Sequence, residues 1–194
     1  RKNKICPKLA PAKCLCIYLK TAIVKANRNT AGKAYNRCNF NFEKIINPYF
    51  SLNHKLKKYL KQALKRGVKV EIIISSKYDE PMTPDVGFRN AHKLMQAGAD
   101  IYIYMPGFHH SKVMTVDGRF CTVGSTNLDA RSLSCDLEEN AVIMDRYTTK
   151  ELSRIFEADR DERCIKLTEE RWKKMRTPWQ RFRGQLFSIF TKFM

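Results

Sequence analysis

The sequence predicts a mixed α/β domain, and two observations support this prediction. Short apolar runs of strand length alternate with segments whose apolar residues recur at helical spacing, in the order strand, helix, strand, helix, strand. That alternation is typical of a crossover unit with a parallel sheet. An Asp-Gly pair between two further apolar runs then indicates a hairpin, so antiparallel strands should join the same sheet.

The first half of the domain should supply three strands and two helices. The strands are predicted at residues 44–46, 68–74 and 101–104, and the middle one is a β-branched run typical of a buried strand. The helices are predicted at residues 52–64 and 85–97, where apolar side chains fall on one face. Gly67 and Gly98 follow these helices as the expected C-terminal stops.

The second half should return in antiparallel strands. Asp117-Gly118 is a strong turn signal between residues 111–116 and residues 120–123, which predicts a hairpin. Residues 140–144 are a further strand candidate. Thr149 can cap a following helix, whose apolar residues are Leu152, Ile155 and Phe156.

The charge divides the chain into three parts. The 194 residues carry a formal net charge of +18, yet the basic excess lies at the two ends. Residues 1–40 hold ten Lys and Arg and no acid, and residues 171–194 hold seven and no acid. We therefore predict a basic, poorly ordered segment at residues 1–41, a nearly neutral folded domain at residues 42–170, and a basic amphipathic tail at residues 171–194. No run of 18 apolar residues is present, so no transmembrane helix is predicted.

The most informative segment combines His110, Lys112 and Asp117 with a downstream Gly-Ser-Thr-Asn. On a strand His110 and Lys112 would share one face, because side chains alternate along a strand. Since Lys is rarely buried unpaired, the pair makes sense when an anion lies between them. The hairpin would return Ser125 and Asn127 to the same place, where both can donate to phosphate oxygens. The pattern predicts phosphoryl transfer without a metal, because nearby acids lack clustered ligand spacing.

These residues, in the form HxKxxxxDxxxxxxGSxN, match the HKD motif of the phospholipase D superfamily at all six fixed positions. Residues 42–194 also resemble the C-terminal half of bacterial cardiolipin synthases. The segments that carry this resemblance are Asn47-Pro48-Tyr49-Phe50, Arg66-Gly67-Val68-Lys69-Val70, His109-His110-Ser111-Lys112, Thr122-Val123-Gly124-Ser125-Thr126-Asn127-Leu128-Asp129 and Glu138-Glu139-Asn140-Ala141. The resemblance implies a phospholipase D-like mixed sheet flanked by helices, with one HKD half-domain.

The resemblance also implies a mechanism that needs no cofactor or metal. In the family two HKD motifs face one pocket, and the histidine of one motif attacks phosphorus to give a phosphohistidine. The other histidine, here His110, protonates the leaving alcohol and then deprotonates the incoming one. Phosphate oxygens would be held by Lys112, Ser125 and Asn127. Asp117 completes the catalytic motif as a structural or charge-balancing residue, and Glu138 would orient a histidine from behind.

For three side chains a structural role is a simpler explanation than a catalytic one. A turn role alone explains Asp117, because Asp-Gly is a favoured hairpin pair. Glu138 is nearly as well explained as a plain salt-bridge partner. His109 is expected to face solvent, opposite His110 on the pleat.

The implied reaction is transfer of a phosphatidyl group to a phosphatidylglycerol hydroxyl, giving cardiolipin and glycerol. The partners are then an anionic phospholipid substrate and the cytoplasmic face of a bacterial cytoplasmic membrane, bound peripherally. A second HxKxxxxD is absent from the chain. It is expected from a missing N-terminal half or from a homodimer partner. The alternatives are a single-motif phosphodiesterase or nuclease active as a homodimer, and an inactive membrane-binding fragment.

The tail carries a pattern of its own. Its apolar residues follow helical spacing, with arginines and a lysine alongside, and they are Trp179, Phe182, Leu186, Ile189 or Phe190, and Phe193. Such a helix suits an anionic membrane surface. Docking of the apolar face onto the core is an equally good interpretation. Bulky apolar residues on an acid-free basic helix make nucleic acid an unlikely partner.

Overall fold

The computed structural model describes residues 41–79 and 83–188, so nearly all of the predicted N-terminal segment lies outside the described residues. The strands within them are β1 (Phe42–Ile46), β2 (Lys69–Ser75), β3 (Asp100–Tyr104), β4 (Val113–Val116), β5 (Phe120–Gly124), β6 (Asn140–Ile143) and β7 (Cys164–Lys166). The helices are α1 (His54–Lys65), α2 (Thr83–Met95), α3 (Ala130–Ser134), α4 (Arg146–Arg163), α5 (Glu169–Met175) and α6 (Pro178–Phe187).

All seven strands form one mixed sheet in the order β6-β5-β4-β1-β2-β3-β7. The three strands of the crossover unit are parallel, and the others join antiparallel. The central strands are rich in isoleucine because both faces of the sheet are covered. Ile45 and Ile72 pack in the core under α1 and α2, whereas Ile46 and Ile73 pack against Phe156 of α4. The predicted mixed sheet flanked by helices is confirmed.

The hairpin between β4 and β5 turns where the sequence predicts. Asp117 and Gly118 have φ angles of +50° and +61°, the left-handed conformations that tight hairpin turns require. The Asp117 carboxylate accepts hydrogen bonds from the backbone N–H groups of Asn41 and Phe42, each at 2.9 Å. This side chain therefore fastens the turn to the start of β1.

Three details differ from the sequence predictions. The helix α4 is capped by Asp145, whose carboxylate accepts from the backbone N–H of Thr148 at 2.7 Å. Thr149, predicted as the cap, lies one turn inside, buried, where its hydroxyl donates to the Asp145 carbonyl at 2.6 Å. Strand β4 begins at Val113, two residues later than predicted. The edge strand β7 was not predicted.

The described part of the tail has a packed side and an exposed side. Gly184 lies against the backbone of Asp85 at the start of α2, and the Asp85 carboxylate pairs with both Arg176 and Arg183. The other side is apolar but open to solvent, with exposed fractions of 65% for Trp179 and 56% for Phe182. Both interpretations of the tail thus retain a basis. No helix among the described residues is long and apolar enough to cross a membrane.

Candidate active site

The strand register places the motif residues at one end of three neighbouring strands. Val113 lies opposite Ile46 of β1 on one side and Val123 of β5 on the other. The residues next to these, Asn47, Lys112 and Gly124, therefore lie side by side, and the Gly124 N–H donates to the Lys112 carbonyl at 3.3 Å. Chain segments far apart in the sequence thus converge on one site.

His110 and Lys112 contact each other directly. The Lys112 Nζ lies 2.8 Å from the His110 Nε2 and also donates to the His110 carbonyl at 3.0 Å. An ammonium group can only donate, so the Lys112 Nζ is the donor in this contact. The pair lies in the loop before β4 and not on a strand as predicted, but the predicted proximity is correct. Burial lowers the pKa of Lys112, against the opposing effect of carboxylates led by Glu138.

Two aromatic side chains hold the His110 ring from the side. The Phe108 ring centroid lies 5.1 Å from that of His110, and the Tyr49 centroid lies 6.4 Å away in an edge-on arrangement. The Tyr49 hydroxyl is itself fixed by a hydrogen bond to the Asp79 carboxylate. Edge-on aromatic contacts of this kind favour one ring orientation. The contact of these two residues with His110 was not foreseen from the sequence.

Ser125 is fixed at the junction of β5 and β6. Its N–H donates to the Glu139 carbonyl at 2.9 Å, and its hydroxyl accepts from the Glu139 N–H at 3.0 Å. The same hydroxyl donates to the Glu138 carboxylate. Glu138 therefore positions Ser125, which is a contact that neither sequence interpretation of Glu138 anticipated.

The loop that carries Ser125 and Asn127 is held in place by hydrogen bonds to Asn47. The buried Asn47 amide donates to the Thr126 carbonyl at 3.3 Å and accepts from the Leu128 N–H at 3.0 Å. Asn127 donates to the Ser132 hydroxyl at 3.4 Å, while its Oδ1 is buried without a hydrogen-bond partner. The unpartnered Oδ1 calls for a donor, so a contact of this amide with an anionic oxygen would have to use the second hydrogen of its Nδ2.

His109 is the residue that the sequence analysis placed wrongly. Its side chain is 14% exposed, and its Nε2 lies 3.1 Å from the Asp159 carboxylate on α4. The His109 backbone N–H donates to the Ser75 hydroxyl at 2.9 Å. The imidazole ring contacts the Tyr104 ring edge-on, with the ring centroids 4.6 Å apart. The prediction assumed the pleat of a strand, but residues 109–112 precede β4, so alternation does not apply. The inward face of α4, marked by Phe156 three residues before Asp159, was the available signal.

Asp117 stands apart from the other motif residues. It follows β4 at the end opposite Lys112, roughly 17 Å along the chain at about 3.3 Å per residue. Its contacts with the start of β1 are those of a turn residue. Among the described residues no group of three or more His, Cys, Asp or Glu side chains is arranged to hold a metal ion.

Comparison with known proteins agrees with this architecture. The family model described as "Cardiolipin synthase, PLD-like domain" matches residues 40–160. Cardiolipin synthase 1 of Staphylococcus epidermidis is 37% identical over 130 residues, which are 67% of this chain and 26% of that protein. The chain spans about a quarter of the length of the curated relatives that it matches.

Solved structures show the same fold at low identity. A phosphatidylserine synthase from Haemophilus influenzae superposes with a TM-score of 0.60 at 16% identity, covering 87% of this chain and 43% of that one. Nuc, a phospholipase D family member from Salmonella typhimurium, gives a TM-score of 0.57 at 18% identity, covering 74% and 95%. Because the family model covers well over half of its residues, the chain belongs to the cardiolipin synthase family with a phospholipase D-like domain.

Proposed function

We propose that this chain is the second catalytic half of a phosphatidyltransferase of cardiolipin synthase type. The observation that carries the proposal is the 2.8 Å contact between His110 and Lys112, beside Ser125 on the adjoining strand end. A cation, an imidazole and neutral donors around one point suit an anionic, tetrahedral phosphorus centre. In the reaction, the bond from phosphorus to a glycerol oxygen breaks, and a bond to the hydroxyl of a second phosphatidylglycerol forms.

Each side chain has a role in this proposal. In the first step His110 would have to carry a proton on Nε2, which it would give to the leaving glycerol, and the neutral Nε2 would later take a proton from the incoming hydroxyl. Lys112 would turn from Nε2 towards a phosphate oxygen when the anion enters, which frees the ring nitrogen for proton transfer. The Ser125 hydroxyl would turn its single proton from the Glu138 carboxylate to a phosphate oxygen, and Asn127 would donate through Nδ2. Asp117 would act through the turn that it fastens to β1.

The nucleophilic histidine must come from a second HKD motif, which the sequence lacks. We infer that it lies in another part of a longer protein, since the chain matches only about a quarter of its curated relatives. The protein would act at the cytoplasmic face of the bacterial membrane, which holds its phosphatidylglycerol substrate. A homodimeric phosphodiesterase is the second candidate, because the chain covers 95% of Nuc and so matches a single-domain architecture.

The test is turnover of phosphatidylglycerol vesicles by the protein encoded in the whole reading frame. Cardiolipin and glycerol should form in equal amounts, and His110→Ala should abolish both. Lys150→Ala, an exposed charge on α4, serves as the matched control and should leave the rate unchanged. Loss of DNA cleavage in His110→Ala, with no lipid product from the parent protein, would favour the second candidate and overturn the first.

A further inference from the structure

A basic groove lies between α1 and α2, away from the candidate active site. It encloses about 600 Å³, and its cationic lining is Lys57, Lys58, Lys61, Lys65 and Lys93. The first four recur along α1 because the opposite face of that helix buries Leu56, Leu60 and Ala63 in the core. The helix contains no acid. None of the residues that converge around His110 contributes to the groove.

These lysines have no anionic partner in the described part of the chain. No carboxylate there lies within 4.0 Å of any of the five, whereas Glu71, Asp85 and Asp159 are all paired elsewhere. Burial, together with the charges of Lys93, Arg89 and Lys61, lowers the pKa of Lys57 to about 8. Repulsion among clustered cations is relieved when an anion enters between them.

Two amide oxygens in the groove also lack partners. Asn90 is 1% exposed, and its Nδ2 is committed to the Phe50 carbonyl at 2.9 Å, which leaves its Oδ1 without a hydrogen bond. The Gln62 Oε1 is likewise buried and unpartnered, and both residues line the groove. Buried acceptors of this kind require a donor. The complementary ligand therefore combines anionic oxygens with hydroxyl groups.

An exposed apolar surface adjoins the groove. Trp179 and Phe182 of α6 stack with centroids 5.7 Å apart, and both are more than half exposed. Lys93 and Phe182 line one depression between α2 and α6, so the basic and aromatic surfaces are continuous. Aromatic residues beside lysines are typical of a segment that meets both lipid headgroups and acyl chains. This neighbour favours a phospholipid over a free phosphate ester.

We propose that the groove between α1 and α2 binds the headgroup of an anionic phospholipid, with its phosphate among the lysines and a headgroup hydroxyl on Asn90 or Gln62. The exposed face of α6 inserts into the adjoining membrane surface. This site is additional to the catalytic one and does not depend on the transfer reaction. It would hold the domain on the membrane while His110 remains free to turn over substrate.

Co-sedimentation with vesicles tests the groove. The chain should bind phosphatidylcholine vesicles that contain phosphatidylglycerol and not vesicles of phosphatidylcholine alone. Each basic residue at an anionic surface contributes about a fivefold gain in affinity, so removing three lysines should weaken binding on the order of 100-fold. The variant is Lys57→Gln with Lys61→Gln and Lys93→Gln, changes that relieve repulsion and spare the core.

The matched control removes the same charge from α4, on the opposite side of the sheet. It combines exposed positions, Arg146→Gln, Lys150→Gln and Arg154→Gln, and should lose less than fivefold. Equal losses in both triple variants, or no preference of the parent chain for phosphatidylglycerol, would overturn the proposal. Glycerol 3-phosphate is tested in parallel as a soluble ligand. If the chain binds it as tightly as it binds vesicles, the groove is a site for free phosphate esters instead.

A second pair of variants tests the aromatic face. Trp179→Ser with Phe182→Ser should weaken vesicle binding, whereas Tyr147→Ser, an exposed ring on α4, should not. Binding that survives loss of both rings would remove α6 from the membrane contact. Vesicle binding that depends on the three groove lysines would support this proposal whether or not the chain transfers phosphatidyl groups, because none of those lysines lies at His110, so the two proposals can fail separately.

Discussion

The close approach of β5 and β6 at Gly124 yields a prediction that the structure quantifies. A Cβ atom on this residue would lie 1.9 Å from the Asn140 Oδ1, 2.3 Å from the Glu139 carbonyl oxygen and 2.6 Å from the Asn140 Cα. The last two are backbone atoms, so rotation of a side chain cannot relieve the overlap. In Gly124→Ala the start of β6 must therefore move by about 1 Å to reach ordinary contact distances.

The expected cost follows from what that movement breaks. The two hydrogen bonds that join Ser125 to the Glu139 backbone, at 2.9 and 3.0 Å, are each worth about 1 kcal/mol. Forcing an extra methyl group into a packed site typically costs a further ~1–3 kcal/mol of folding free energy. We expect the free energy of unfolding to fall by about 3–5 kcal/mol, and Ser125 to lose its fixed position.

Urea unfolding of the two glycine variants measures this effect. Gly107→Ala is the control, because no neighbouring atom lies within 4 Å of the position that its methyl group would occupy. It should change the free energy of unfolding by less than about 0.5 kcal/mol. A Gly124→Ala protein that is as stable as the control would refute the argument that close backbone approach dictates glycine here.

Three further outcomes are expected. Asp117→Ala should lower the free energy of unfolding by about 2 kcal/mol, because two backbone donors lose their acceptor. Asp117→Asn should recover part of that stability. Both variants should retain transfer activity when folded. Asp159→Asn should cost about 1–3 kcal/mol in urea unfolding through its contact with His109, and an equal cost for exposed Asp161→Asn would contradict this. The folded-state pKa of Lys57, about 8, lies below its ordinary 10.5, so the unfolded chain binds more protons in that interval. Stability should therefore rise from pH 8 to pH 10.5, and Lys57→Met should remove that rise.

Local signals explain which parts of the fold were predictable. The hairpin follows from Asp117-Gly118 because its turn geometry is set by two adjacent residues. The crossover unit follows from the alternation of apolar periods. By contrast, β7 is three residues long and is stabilised by pairing with β3, so nothing in its own sequence distinguishes it. Both Asp145 and Thr149 can cap a helix, and packing decides between them.

The candidate site divides in the same way. The spacing of residues was enough to predict that His110 lies near Lys112. It also predicted that Ser125 lies beside them, since the turn fixes the register of a hairpin. The partner of His109 could not be predicted, because Asp159 is 50 residues away on a helix whose docking is a property of the whole domain. The basic groove was also beyond reach, as it exists only once α1 and α2 pack side by side.

His110 and Lys112 are proposed to form one phosphate site with Ser125 and Asn127. The most direct measurement is the NMR titration of the His110 ring nitrogens with inorganic phosphate. We predict a saturable shift at His110 that weakens at least about tenfold in Lys112→Met, the loss of one charge-assisted contact, and persists in Lys150→Met. A His110 spectrum that ignores phosphate, or that responds equally in both variants, would contradict the account.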